Sequence, residues 1–160
     1  MRGHPIRPLP RLVLALLIAG CGGPKVPTPV PIEGVLAAHA GVNPDVSGRP
    51  SPVAVKVYQL HSSGSFESSD FFSLYNQAAA VLGADLVSST DIIVSPGESK
   101  KFDQEIDPRT RFVGIVAGFR DIQNASWRAL VPVPAKDLSK QRLEVTVKDL
   151  TAGASFVKAR

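Results

Sequence analysis

Leu143-Glu144-Val145-Thr146-Val147-Lys148 is the stretch on which the fold turns. Leu143, Val145 and Val147 share one face of an extended chain while Glu144, Thr146 and Lys148 share the other, the period-two signature of a half-buried strand. Val53 to Leu60 repeats it, with Val53, Val55 and Val57 on one side and Lys56 and Tyr58 on the other. Working outward, strands are expected at Gly34 to Val42, Leu86 to Val94, Lys101 to Ile106, Phe112 to Phe119 and Ser126 to Val133. Phe112 to Phe119 is apolar on both faces with Gly114 and Gly118 interspersed, which places it centrally. In Ser126 to Val133, Trp127, Ala129, Val131 and Val133 fall on one side. About seven short strands, spaced roughly 8 to 12 residues apart, argue an all-β antiparallel sandwich.

The connections carry their own chemistry. Ser95-Pro96-Gly97-Glu98 has Pro at i+1 and Gly at i+2, as a type II turn requires. Asn43-Pro44-Asp45 and Ser47-Gly48-Arg49-Pro50-Ser51-Pro52 form a connection rich in turn residues between the first two strands. One helical pattern interrupts the strands. Phe71, Leu74, Tyr75, Ala78 and Leu82 recur at helical spacing after a capping Ser69 or Asp70, and Gly83 suits the C′ position. The aromatic face of this short helix is expected to pack on the sandwich.

The beginning of the chain reads as a targeting segment. Arg2, Arg7 and Arg11 precede the apolar run Leu12 to Ala19, and Leu17-Ile18-Ala19-Gly20-Cys21 closes it. That run falls short of the roughly 20 apolar residues that span a bilayer. Cys21 is the only cysteine, and its setting resembles the lipobox of bacterial lipoproteins, in which the cysteine thiol is acylated and the preceding peptide is removed. An ordinary secretory signal is the competing reading. Residues 1–20 are thus expected to be a signal peptide and 21–31 a lipidated cysteine with a Pro-rich tether. Residues 32–160 would form one β-sandwich domain. More than one acyl chain on Cys21 would anchor the chain stably, since each buried methylene contributes about 0.8 kcal/mol. Gly22 stands where, by the sorting rule of enteric bacteria, an aspartate would signal inner-membrane retention, so outer-membrane attachment is favoured. The tether from Gly22 to Pro31 favours polyproline II and reaches on the order of 30 Å at about 3.1 Å per residue.

Composition excludes several function classes. The chain has 18 Lys and Arg against 14 Asp and Glu, but three of the arginines lie in the first 20 residues, leaving 15 against 14. No basic stripe interleaved with aromatics remains, so a nucleic-acid partner is not expected. One cysteine cannot make an intramolecular disulfide. His39 and His61 have no ligand partners at metal-site spacing, and no cofactor is expected. The sequence holds no nucleophile elbow, Gly-rich phosphate loop or His-Glu-x-x-His motif. Ser62-Ser63-Gly64-Ser65 beside His61 reads as a solvated loop, and Asp103, Glu105 and Asp107 as a solvated edge. Arg120-Asp121 and Trp127-Arg128 read as a pair of strand ends locked by an ion pair. No enzyme activity is expected.

Several segments together are similar to one family. Val55-Lys56-Val57-Tyr58-Gln59-Leu60, Phe66, Asp70-Phe71-Phe72-Ser73-Leu74-Tyr75, Leu82-Gly83-Ala84-Asp85-Leu86 and Ser95-Pro96-Gly97-Glu98 run in order, followed by Gly114-Ile115-Val116-Ala117-Gly118-Phe119-Arg120-Asp121-Ile122 and Ala125-Ser126-Trp127-Arg128. In this order, behind a lipobox, they resemble the TssJ lipoproteins of type VI secretion systems, from about Ile32 to Val147. The resemblance implies a transthyretin-like, immunoglobulin-like antiparallel β-sandwich with one short inserted helix, held at the periplasmic face of the outer membrane. It further implies a partner, the periplasmic region of the inner-membrane protein TssM, within a complex that includes TssL. The contact would be the loop between the first two strands, here Val42 through Pro52, with Asn43, Pro44, Asp45, Arg49 and Pro50. The alternative is a periplasmic sandwich lipoprotein that binds a small ligand or polysaccharide on a platform of Trp127 and Tyr58.

Overall fold

Alternating apolar positions meet between two four-stranded sheets. The computed structural model describes residues 27–159. In chain order the elements are β1 (Val30–Ala38), β2 (Val53–Leu60), α1 (Gly64–Ser68), α2 (Phe71–Leu82), β3 (Leu86–Val94), β4 (Ser99–Ile106), β5 (Phe112–Gly118), β6 (Arg128–Pro132), β7 (Gln141–Lys148) and β8 (Thr151–Lys158). One sheet has the order β4-β1-β7-β8 and the other β3-β2-β5-β6. Leu36, Val53, Val55, Val57, Ile115, Leu143, Val145 and Val147 form the core between them, each at most 1% exposed. Burying one such side chain contributes about 1.5–3 kcal/mol.

A second cluster lies on the outer face of the β3-β2-β5-β6 sheet. Tyr58 and Leu60 of β2 and Val116 of β5 are covered there by Phe66, Leu74 and Leu82 from the helices. This explains why β5 is apolar on both faces: one meets the other sheet and one meets helix. Gly114 is required by that cover, because a Cβ there would stand 2.7 Å from the Phe66 ring. The Tyr58 hydroxyl donates to the Leu74 carbonyl at 2.8 Å, and burial pushes its phenol pKa up.

The expected turn and helix signals act where the sequence put them. Gly97 takes φ 77° and the Glu98 N–H donates to the Ser95 carbonyl at 3.0 Å. Asp70 caps α2 by accepting from the Ser73 N–H at 3.0 Å, and Gly83 ends it at φ 50°. α2 bends at Gln77, whose φ of −134° lies outside the helical region.

Five features differ from the sequence reading. β1 begins at Val30, paired with Ile106, so the last two positions assigned to the tether belong to the sheet. β1 and β7 run parallel, from Gly34↔Leu143 to Ala38↔Val147, in otherwise antiparallel sheets. α1 is a second helix, formed where Ser62 to Ser65 read as loop, because burying Phe66 over Gly114 fixes it. β8 brings the strands to eight: Thr-Ala-Gly-Ala-Ser-Phe-Val-Lys is weakly patterned, and pairing with β7 rather than local alternation makes it a strand. Trp127 precedes β6 and is only half-buried; it packs edge-on against Phe71 of α2 with ring centroids 5.3 Å apart.

Candidate functional site

β1 delivers the chain to one end of the sandwich, where it leaves the sheet for residues 39–52 before β2 returns. The loop has a buried base. Val42 is fully buried, and the Ser51 N–H donates to its carbonyl at 3.1 Å, which pinches the two arms together. Asn43, at φ 51°, is 2% exposed and ties the far arm of its own loop to two other segments. Its N–H donates to the Asp149 carbonyl, its Nδ2 donates to the Pro52 carbonyl at 2.9 Å, and its Oδ1 accepts from the Arg120 N–H at 2.8 Å. A short polar side chain tolerates that left-handed backbone and satisfies the Pro52 carbonyl and the Arg120 N–H, while the Asn43 main chain satisfies the Asp149 carbonyl.

Above the base the loop closes on Asp45. Its N–H donates to the Arg49 carbonyl, and its carbonyl accepts from the Gly48 N–H. Gly48 sits at φ 77°, a conformation in which glycine carries no Cβ penalty. The Asp45 carboxylate accepts from the backbone N–H groups of Ser47 at 2.8 Å and Arg49 at 3.0 Å, and pairs with the Arg49 guanidinium at 2.8 Å. The Arg49 backbone N–H, helped by that of Ser47, by the Arg49 side chain and by the charge of Arg120, outweighs desolvation and holds the Asp45 carboxyl below its usual range. This connection is therefore a preformed protrusion. At its tip Val46 is fully exposed, one of three large exposed hydrophobic side chains among the described residues.

Beside the tip lies a groove of 530 Å³ lined by Pro44, Asp45, Val46, Arg120, Asp121 and Leu150. Three loops that are distant in sequence build it, and Asn43 joins them from below. Of the residues expected at the contact, Pro44, Asp45, Arg49 and Pro50 lie in the protrusion, and Arg49 exposes 82% of its side chain. Asn43 does not reach the surface: it is a positioning residue. Val46 falls within the expected contact loop without being singled out, whereas Arg120, Asp121 and Leu150 were not expected beside it. Val46 alone left a trace, as a single apolar residue inside a turn-forming run; the others become neighbours only in the fold.

The remaining polar candidates fall elsewhere. Arg120-Asp121 and Trp127-Arg128 form no ion pair with each other. Asp121 instead accepts from Asn124 Nδ2 at 2.8 Å. Arg128 stacks on the Trp127 ring and turns its Nη1 to the carbonyls of Phe66, Glu67 and Ser69, at 2.9, 2.7 and 3.1 Å. A cation placed there satisfies the orphan carbonyls at the end of α1. His61 Nδ1 lies 3.1 Å from the Arg109 carbonyl, and Asp107 pairs with Arg109. Asp103 and Glu105 are exposed on the outer face of β4. Among the described residues no group of three or more His, Cys, Asp or Glu side chains could hold a metal ion. The Trp127 and Tyr58 platform does not form, because Tyr58 is 1% exposed beneath the helices. Cys21 and the rest of the proposed leader lie outside the described residues.

Comparison with known proteins agrees with this architecture. Residues 31–150 match the family model described as type VI secretion lipoprotein, VasD, EvfM, TssJ. The T6SS lipoprotein TssJ1 from Pseudomonas aeruginosa superposes with a TM-score of 0.76 at 30% identity, covering 82% of this chain and 99% of that one. Serratia marcescens Lip, described as a membrane-bound component of the type VI secretion system, gives 0.71 at 26%, again over 82% and 99%. A chain in a structure described as a type VI membrane complex shares the fold, at 0.67 and 24% over 80% of this chain and 98% of that one. A search of curated protein sequences finds no significant match. A family match across 31–150, together with the fold shared with TssJ1, makes this chain a member of the type VI secretion lipoprotein family.

Proposed function

We propose that this protein is a lipid-anchored scaffold of the type VI secretion membrane complex, attached to the outer membrane through Cys21 and binding the periplasmic region of a TssM-like inner-membrane protein through the loop between β1 and β2. One observation carries the reading. The described chain enters β1 at Val30 and the preformed loop stands at the other end of that strand, about 30 Å away for nine extended residues. An anchor upstream of Val30 thus leaves the protrusion facing away from the membrane, toward whatever crosses the periplasm. Family membership and the fold shared with a chain of a type VI membrane complex support it.

The chemistry of the loop fits a docking element. Asp45, Gly48 and Asn43 fix its backbone before any partner arrives, so little conformational entropy remains to be lost on binding. Val46 offers an apolar anchor at the tip, and Arg49 and Arg120 flank it with charge. Calorimetry against the periplasmic region of the cognate TssM tests the proposal with Val46→Asp. An exposed substitution should leave the melting temperature within a degree or two while weakening binding at least tenfold, as expected for a central anchor. Unchanged affinity in a folded variant would place the interface elsewhere. Absence of binding by the unmutated chain would remove the scaffold reading.

A further inference from the structure

The four sheet edges are guarded unequally. β4 carries Lys100, Lys101, Asp103 and Glu105 along eight residues, the charged dressing that discourages edge pairing. β6 and β8 lie against each other, joined where the Ser126 N–H donates to the Leu150 carbonyl and the Ala152 N–H to the Ser126 carbonyl. β3 is guarded least: a register irregularity at its start, opposite Gln59 and Leu60, and the Lys100 ammonium at the Ile93 carbonyl are what cover it. Its nine residues, Leu-Val-Ser-Ser-Thr-Asp-Ile-Ile-Val, contain one charge, and Ile93 is 64% exposed.

The direction of its main-chain groups follows from the ladder. The Ala117 N–H donates to the Trp127 carbonyl, so Ala117, Ile115 and Val113 face β6, and alternation turns Gly118, Val116 and Gly114 toward β2. Their partners Ala54, Lys56 and Tyr58 face β5, which leaves Val53, Val55 and Val57 facing Val94, Ile92 and Thr90 of β3. The N–H and C=O groups of Ser89, Asp91 and Ile93 therefore point out of the sheet edge. Independently, Lys100 Nζ reaches the Ile93 carbonyl from outside at 3.0 Å.

That edge is complementary to itself. In an antiparallel pairing centred on Thr90, Ser89 lies opposite Asp91 of the second copy with outward main-chain groups facing each other, and Val87, where the β2 register shifts, comes beside Ile93. A serine hydroxyl meets a carboxylate whose other oxygen is held by Lys56 at 2.7 Å, and an exposed isoleucine meets an apolar partner. Centring the pair on Asp91 would instead set two carboxylates face to face. We propose that β3 pairs with β3 of a second copy of this chain about a two-fold axis at Thr90, extending two four-stranded sheets into one of eight. A single edge of this length offers less than the roughly 1,200 Å² of a stable interface, so the association is weak and best trapped covalently.

Cysteine trapping decides it on the chain from Gly22 onward, which keeps the whole described fold and has no other cysteine. Its solved relatives TssJ1 and Lip consist almost wholly of the matched domain, so the part tested corresponds to the unit that is folded in them. Thr90 and its mate would be a non-hydrogen-bonded pair with Cα atoms about 4.5 Å apart, within disulfide range. Ser88 and its mate would be roughly 13 Å apart. Under mild oxidant Thr90→Cys should give a disulfide dimer at least tenfold more abundant than Ser88→Cys. Adding Ser89→Pro, which removes an outward N–H but no bond to β2, should lower that yield at least tenfold. Ile93→Lys, exposed and safe for folding, should do the same if the proline variant does not fold. Equal yields from Thr90→Cys and Ser88→Cys, or a Thr90→Cys yield unmoved by the folded edge variants, would overturn the proposal.

Discussion

Arg128 shows how a single side chain acquires its role from its surroundings. Beside Trp127 in the sequence it suggests a partner for Asp121, yet its guanidinium ends among three carbonyls at the end of α1. Hydrogen bonds to a charged group contribute about 1.5–3 kcal/mol, and a truncation would leave those carbonyls without a partner. Arg128→Ala is therefore expected to destabilise the domain by about that amount in denaturant unfolding, with Arg128→Lys recovering part of the loss. A midpoint equal to wild type would show that water replaces the guanidinium without cost. Trp127 is half-buried against Phe71, so its truncation should cost less than the roughly 3–5 kcal/mol of a fully buried indole in denaturant unfolding. The residue alphabet marked both as special, but which groups they touch depended on α1 and α2 lying over the sheet.

Among the elements, the loop between β1 and β2 is rooted by the buried Val42 and shaped above it by polar chemistry. Its closing interactions converge on Asp45, whose carboxyl titrates below its ordinary value of 3.8. For a lowered carboxylate pKa, the folded state binds fewer protons than the unfolded one. The stabilisation is fully present above the ordinary value and disappears as pH falls through the lowered one. Partner binding should therefore be insensitive to Asp45 between pH 7 and pH 5. Asp45→Ala, by contrast, should speed amide exchange at Ser47 and Arg49 at least tenfold at pH 7, leaving exchange in β2 unchanged. Unaltered exchange at those two amides would mean that the Gly48 turn holds the loop without the carboxylate. The prolines, glycine and asparagine of residues 43–52 announced a protrusion. That Asn43 serves as the rivet and Val46 as the tip followed only once Asp149, Pro52 and Arg120 had been brought around Asn43.

For the whole molecule, the decisive relation is between its two ends. The loop stands at one and the chain enters at the other, where Pro27, Thr28 and Val30 meet Pro108, Arg111 and Val133 around a cavity of 330 Å³. If Cys21 is the anchor, Cys21→Ser should abolish incorporation of labelled palmitate without altering the circular dichroism of the folded domain, since residue 21 precedes every described strand. Palmitate uptake by the serine variant would refute the anchor. The two-layer β architecture, a helix capped at Ser69 or Asp70, the Gly97 turn and the family were all legible in the chain of residues, because period-two alternation, capping and turn geometry are local and are written within a few residues of where they act. The parallel pairing of β1 with β7, the strand β8, the helix around Phe66 and the three-loop groove at Val46 emerge with the assembled fold. Each of these is stabilised by partners from remote parts of the chain: strand mates for β8, a glycine floor for Phe66, and the Arg120 and Asp149 main-chain groups for Asn43. Local pattern carries no record of such partners, and the free energy that fixes them arises only when the core closes.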